Sequence, residues 1–103
     1  MFARRRWWSG SGFPALRLMA IEHWDPLGVY DNPARADEYD PYLKRLGRML
    51  KSGKGAEEIA RYLGDVRTKA LRRGENEEVD RAFADRVVTW YQLEHPSKEA
   101  PTR

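Results

Sequence analysis

Asp40-Pro41-Tyr42-Leu43-Lys44-Arg45-Leu46-Gly47-Arg48-Met49-Leu50-Lys51, read together with Tyr39 just before it, decides the fold. Tyr39, Leu43, Leu46 and Leu50 recur at steps of four, three and four, with Tyr42 and Met49 alongside. That is one apolar stripe on a helix predicted over 39–51. Asp40 before Pro41 suits an N-cap followed by proline at the first helical position, where the missing N–H removes no hydrogen bond. Lys44, Arg45, Arg48 and Lys51 lie toward the C-terminal end, where cations complement the helix dipole. Ser52-Gly53-Lys54-Gly55 then stops the helix.

The same period recurs twice. Over 56–71, Ile59, Leu63, Val66 and Ala70 mark a buried face with Tyr62 flanking. Glu57 and Glu58 occupy the first turn, Lys69, Arg72 and Arg73 the last, and Gly74 closes the segment. Gly64 inside the pattern costs about 1 kcal/mol of propensity without breaking it. Over 76–93, Asn76 caps a helix on which Val79, Phe83, Val87 and Trp90 repeat, supported by Ala82 and Tyr91. His95-Pro96 ends it, because the residue before proline is pushed out of the α region. No stretch sustains period-two alternation. The expected fold is all-α: a small bundle of three amphipathic helices, with room for a short leading fourth over 15–24.

A chain of 103 residues makes one small domain. Its 41% hydrophobic and 34% charged content fits a soluble globular protein rather than a disordered one. There are no cysteines, which excludes disulfides and thiolate chemistry and is compatible with a cytoplasmic, reducing setting. The net charge of +3 is unevenly spread: residues 1–18 carry +4 and the rest carry −1. A nearly neutral body argues against an electrostatic nucleic-acid binder.

The basic head contains Arg4-Arg5-Arg6-Trp7-Trp8 and then Ser9-Gly10-Ser11-Gly12. It lacks the apolar core of an export signal and the roughly 20 apolar residues of a bilayer span. With Met19 opening the organised sequence, residues 1–18 are expected to be a disordered extension ahead of a domain at 19–95, or else to precede a true start of translation at Met19. Residues 96–103 are expected to be a polar tail. The alternative role for the head is contact with an anionic membrane surface or with nucleic acid through its arginines and tryptophans.

Between the head and the first strong stripe lies an irregular segment with two proline turns. Asp25-Pro26-Leu27-Gly28 meets the preferences of a type I turn, and Asp31-Asn32-Pro33 is an Asx-proline turn. Trp24, Leu27, Val29 and Tyr30 give this segment apolar anchors, so it is expected to pack over the open side of the bundle. Trp24, Tyr39 and Trp90 are assigned to the core on the same grounds.

Two motifs in this region, His23-Trp24-Asp25-Pro26-Leu27-Gly28-Val29 and Ala36-Asp37-Glu38-Tyr39-Asp40-Pro41-Tyr42, are followed by two amphipathic helices. Together they resemble the YugE-like family of small bacterial helical proteins, over roughly residues 21–71. The resemblance implies a compact helical fold without an assigned biochemical role, and it carries no catalytic residues.

Neither motif has the parts of a catalytic site, so no catalytic, cofactor-binding or metal-binding residue is assigned and no enzyme activity is expected. The acids Asp25, Asp31, Asp37, Glu38 and Asp40, with His23, lack the spacing of an EF-hand or a His-Glu-x-x-His site. Trp24, Asp25, Pro26, Gly28, Tyr39 and Asp40 are therefore read as structural. Tyr30, Asp31, Asp37 and Glu38 are the candidate contacts for a protein partner, in an adaptor or immunity-type role. Nucleic acid is the less favoured partner, because Glu75, Glu77, Glu78 and Asp80 follow the basic cluster Arg67, Lys69, Arg72 and Arg73 and would repel phosphate. The weakest alternative is a metal-dependent enzyme using the acidic loop.

Overall fold

In the computed structural model, which describes residues 7–95, the regular elements are all helical. A π-helical turn at Trp8–Gly12 leads into α1 (Phe13–His23). Two 3-10 segments, Val29–Asp31 and Pro33–Tyr39, carry the chain to α2 (Asp40–Lys51). α3 (Ala56–Asp65) runs into a second π-helical turn, Val66–Ala70, and α4 (Glu77–Glu94) completes the bundle. Among the described residues there is no strand.

The stripe that opened the reading is buried as a unit: Tyr39, Leu43, Leu46 and Leu50 all lie in the core. Asp40 does not cap α2. The preceding 3-10 segment already gives Tyr39 a helical backbone, and Asp40 is the first residue inside the helix, with no side-chain cap bond. Its carboxylate turns instead to Arg17 of α1, at 2.6 and 3.0 Å. Asn76 does cap α4, its side-chain oxygen accepting the Val79 N–H at 3.2 Å.

The expected face of α3 is buried at Ile59, Leu63 and Val66 and departs from expectation only after them. In a π turn each N–H reaches one residue further back, as where Leu71 bonds the Val66 carbonyl at 2.8 Å. The extra residue leaves Ala70 exposed, while Arg67, four residues after Leu63, shares the buried face with Ile59 and Leu63. α3 is closed by Arg72 in the left-handed region (φ 59°), ahead of the Gly74 expected to do it. On α4 the buried line is Asp80, Phe83, Ala84 and Val87, with Val79 only partly covered and Ala82 exposed.

α3 and α4 form the most extensive helix pair, and α1 packs on both α2 and α4. The leading helix therefore ties the α2 side of the bundle to the α4 side. Leu16 and Ala20 of α1 are fully buried, and Trp8 and Phe13 pack against the same core. This corrects the expected boundary at Met19, because the described part of the extension, residues 7–18, is helical and supplies a core side chain. Ser9-Gly10-Ser11-Gly12 is not a spacer: a Cβ on Gly12 would come within 2.8 Å of the Trp8 ring, so glycine there lets the indole lie down. Residues 1–6, including Arg4–Arg6, and the tail at 96–103 lie outside the described residues.

Candidate functional site

Trp24 ends α1 with its indole 5% exposed, stacked on Phe83 of α4 at 5.7 Å and an interplanar angle of 9°. Its Nε1–H donates to Asp80 Oδ1 at 2.8 Å, and the same oxygen accepts from Arg67 Nε at 3.0 Å. Asp80 and Arg67 are both buried, so the bundle holds an ion pair in its interior, with Arg67 Nη2 buried and lacking a hydrogen-bond partner. Charges placed there need each other, since either alone would be stranded in a low dielectric. Arg67 thus belongs to the core, not to a basic surface cluster.

Asp25 begins the expected turn, its carbonyl accepting the Gly28 N–H at 3.1 Å. It sits at positive φ (41°), as does Gly28 (69°), where glycine is the residue without a steric penalty. The Asp25 carboxylate then takes three donors: Val29 N–H at 2.8 Å, Tyr30 N–H at 3.2 Å and the Tyr39 hydroxyl at 2.7 Å. The first two are the unpaired donors at the start of the 3-10 segment, a favourable place for an anion. The Tyr39 oxygen in turn accepts the Leu27 N–H at 2.9 Å. Burial pushes the Tyr39 hydroxyl well above the usual phenol range, and its bond to Asp25 adds to that.

This network joins the two motifs and fixes the segment between them. Tyr30, Asp31, Asp37 and Glu38 stand exposed on it; Tyr30, at 66%, is not the apolar anchor it was expected to be, that part falling to Trp24, Leu27 and Val29. Tyr30 and Asp31 belong to the first 3-10 segment, Asp37 and Glu38 to the second, and no hydrogen bond joins any of the four to another among the described residues. Glu38 is paired bidentately with Arg35 at 2.8 and 3.2 Å, a hydrogen-bonded contact that lowers its pKa. The bond to Asp40 raises the Arg17 pKa, with Asp37 adding a smaller charge effect.

The acids imagined as metal ligands are dispersed. Asp25 is committed to three donors and Asp40 to Arg17, and no group of three or more His, Asp or Glu side chains among the described residues is arranged to hold a metal ion. The expected segregation of charge takes a different form, a groove of about 700 Å³ between α3 and α4. Glu57, Asp65, Glu75, Glu77 and Glu78 line it together with Arg61 and Arg81, and Asp80 forms part of its wall.

Asp80 and Arg67 are the residues that sequence reasoning missed. A signal existed: Asp80, Phe83, Ala84 and Val87 follow the i, i+3, i+4, i+7 pattern of a buried face, with an acid at its head. Arg67 carried one too: Ile59, Leu63, Val66 and Arg67 stand at i, i+4, i+7 and i+8, the spacing of one helical face.

No family model, curated protein or solved structure matches this chain. Among the described residues, no helix is long and apolar enough to cross a membrane.

Proposed function

We propose that this chain is a small non-enzymatic protein-binding domain, in an adaptor or immunity-type role. The contact surface is the segment from Tyr30 to Glu38. One observation carries the reading: Asp25, through Val29, Tyr30 and Tyr39, holds in place the backbone from which an exposed tyrosine and unburied acids project. A loop ordered before binding loses less entropy on association. Tyrosine supplies large contact area with few rotatable bonds, which is why it is frequent among the residues that dominate interfaces.

Asp31 and Asp37 have no ion-pair partner among the described residues, so a basic partner surface complements them. A photo-crosslinking residue at Tyr30, introduced in the native host, tests this. A discrete protein adduct is expected at position 30 and none at exposed Arg86 of α4. The adduct should weaken with added salt and disappear when Asp31→Asn, Asp37→Asn and Glu38→Gln are combined. An adduct unchanged by that triple substitution would remove the loop from the interface.

A further inference from the structure

The fold brings together two stretches that the sequence keeps apart, the aromatic entry turn and the cationic side of α2. Trp8 lies on α2 where Gly47 makes room, since any Cβ there would overlap the indole. Phe13 meets Trp8 edge-on at 5.9 Å between ring centroids. Beside the two rings, Lys44, Arg48 and Lys51 follow one another along α2, and the five residues with Ser9 enclose a pocket of about 360 Å³. At 1.5 Å per residue the three cations span about 10 Å of helix. Among the described residues no carboxylate pairs with Lys44, Arg48 or Lys51, although other surface cations of the chain, such as Arg35, Lys54, Lys69 and Arg81, each have one. The Lys51 ammonium sits 5.6 Å from the Trp8 ring centroid.

We propose that this pocket binds single-stranded nucleic acid, a base entering against Trp8 and Phe13 while Lys44, Arg48 and Lys51 take the adjoining phosphates. Aromatic walls beside a row of unpaired cations are the elements by which single strands are held without sequence readout. A duplex fits poorly, because its bases are stacked and unavailable to the rings. A lipid surface is less well matched: the rings line a concavity on the protein, and Trp7 is turned toward Trp90 and His95, at 5.6 and 4.3 Å. The near-neutral total charge of the body does not oppose this site, because the acids are concentrated elsewhere, in the α3–α4 groove and the loop.

The test is fluorescence anisotropy of a labelled oligothymidylate with the full chain. Parallel arms use the same length of duplex and vesicles of phosphatidylcholine with phosphatidylserine. Single strands should bind tightest, with a log–log salt slope near −2, as about three phosphate contacts require. Combining Lys44→Glu, Arg48→Glu and Lys51→Glu, all exposed positions, should abolish binding while leaving the helical signal intact. Trp8→Ala should weaken binding about five- to tenfold or more at unchanged salt slope, the loss expected of a stacking contact. Neutralising Asp31, Asp37 and Glu38 should leave it unchanged, which separates this site from the protein-binding loop. Vesicle binding without oligonucleotide binding, or an affinity indifferent to the triple charge reversal, would overturn the proposal.

Discussion

At the scale of single residues, two side chains with ordinary sequence roles hold the most consequential positions. Asp80 was legible as a first-turn acid on α4, yet it accepts from both Trp24 and Arg67 inside the bundle. Asp80→Asn is expected to cost about 3–5 kcal/mol in urea unfolding, because it strands the Arg67 charge. Trp24→Phe keeps the stack on Phe83 but removes the indole donor, for an expected loss of about 1–2 kcal/mol. Trp24→Ala also opens a cavity, for about 3–5 kcal/mol. Equal losses for Phe and Ala at this position would mean that the hydrogen bond, not the packing, matters.

The tyrosines define a pH limit at the same scale. Burial raises the folded-state pKa of Tyr39, and that of Tyr62 to about 12, above the ~10 of an unfolded chain. The unfolded state therefore releases these protons first. Stability from both groups is complete below pH ~10 and is lost as pH rises from there through the folded-state values. Tyr39→Phe should lower stability at neutral pH, since it leaves the Leu27 N–H without its acceptor, but should make the alkaline decline shallower. Thermal unfolding between pH 8 and pH 12, compared for parent and variant, checks both signs.

At the scale of elements, α1 carries more of the fold than its sequence suggested. Leu16 is fully exposed to no solvent, and its helix touches α2 and α4 alike. Leu16→Ala should cost about 2–5 kcal/mol, and a chain beginning at Met19 should lose much of its melting temperature. An undiminished melting temperature for that shortened chain would return residues 7–18 to the status of an appendage. Gly47→Ala probes the turn ahead of α1. The added methyl collides with Trp8, so the expected result is displacement of the indole, a red-shifted tryptophan emission and a loss of about 1–3 kcal/mol from overpacking.

At the scale of the whole molecule, charge is gathered into regions that the total does not show. The acidic groove, the acidic loop and the cationic side of α2 are separate regions, which a net charge of +3 conceals. Neutralising Asp31, Asp37 and Glu38 is expected to leave the melting temperature within about 4 °C of the parent, because exposed charges away from the core contribute little. A marked stabilisation would show that the loop acids repel one another in the folded state, a cost consistent with residues kept for binding.

Sequence alone determined the helical class, the extents of α2 and α4 to within a residue or two, and the Asp25 turn. Each is governed by local rules, namely apolar period, capping chemistry and proline or glycine conformation, which act over a few neighbouring residues. The loop acids Asp31, Asp37 and Glu38 were legible as exposed from their charge, whereas the exposure of Tyr30, also read as an apolar anchor, was not. Only the tertiary structure decided the role of α1, whose apolar residues are few and whose Ser-Gly repeat reads as a linker until Trp8 is seen packed on Gly47. It alone decided that Ala70 is exposed beyond the buried Ile59, Leu63 and Val66, because one π turn shifts every later residue around the helix. The Trp24–Asp80–Arg67 contact and the pocket of Trp8, Phe13, Lys44, Arg48 and Lys51 also belong to it, since both unite residues tens of positions apart that share no local pattern.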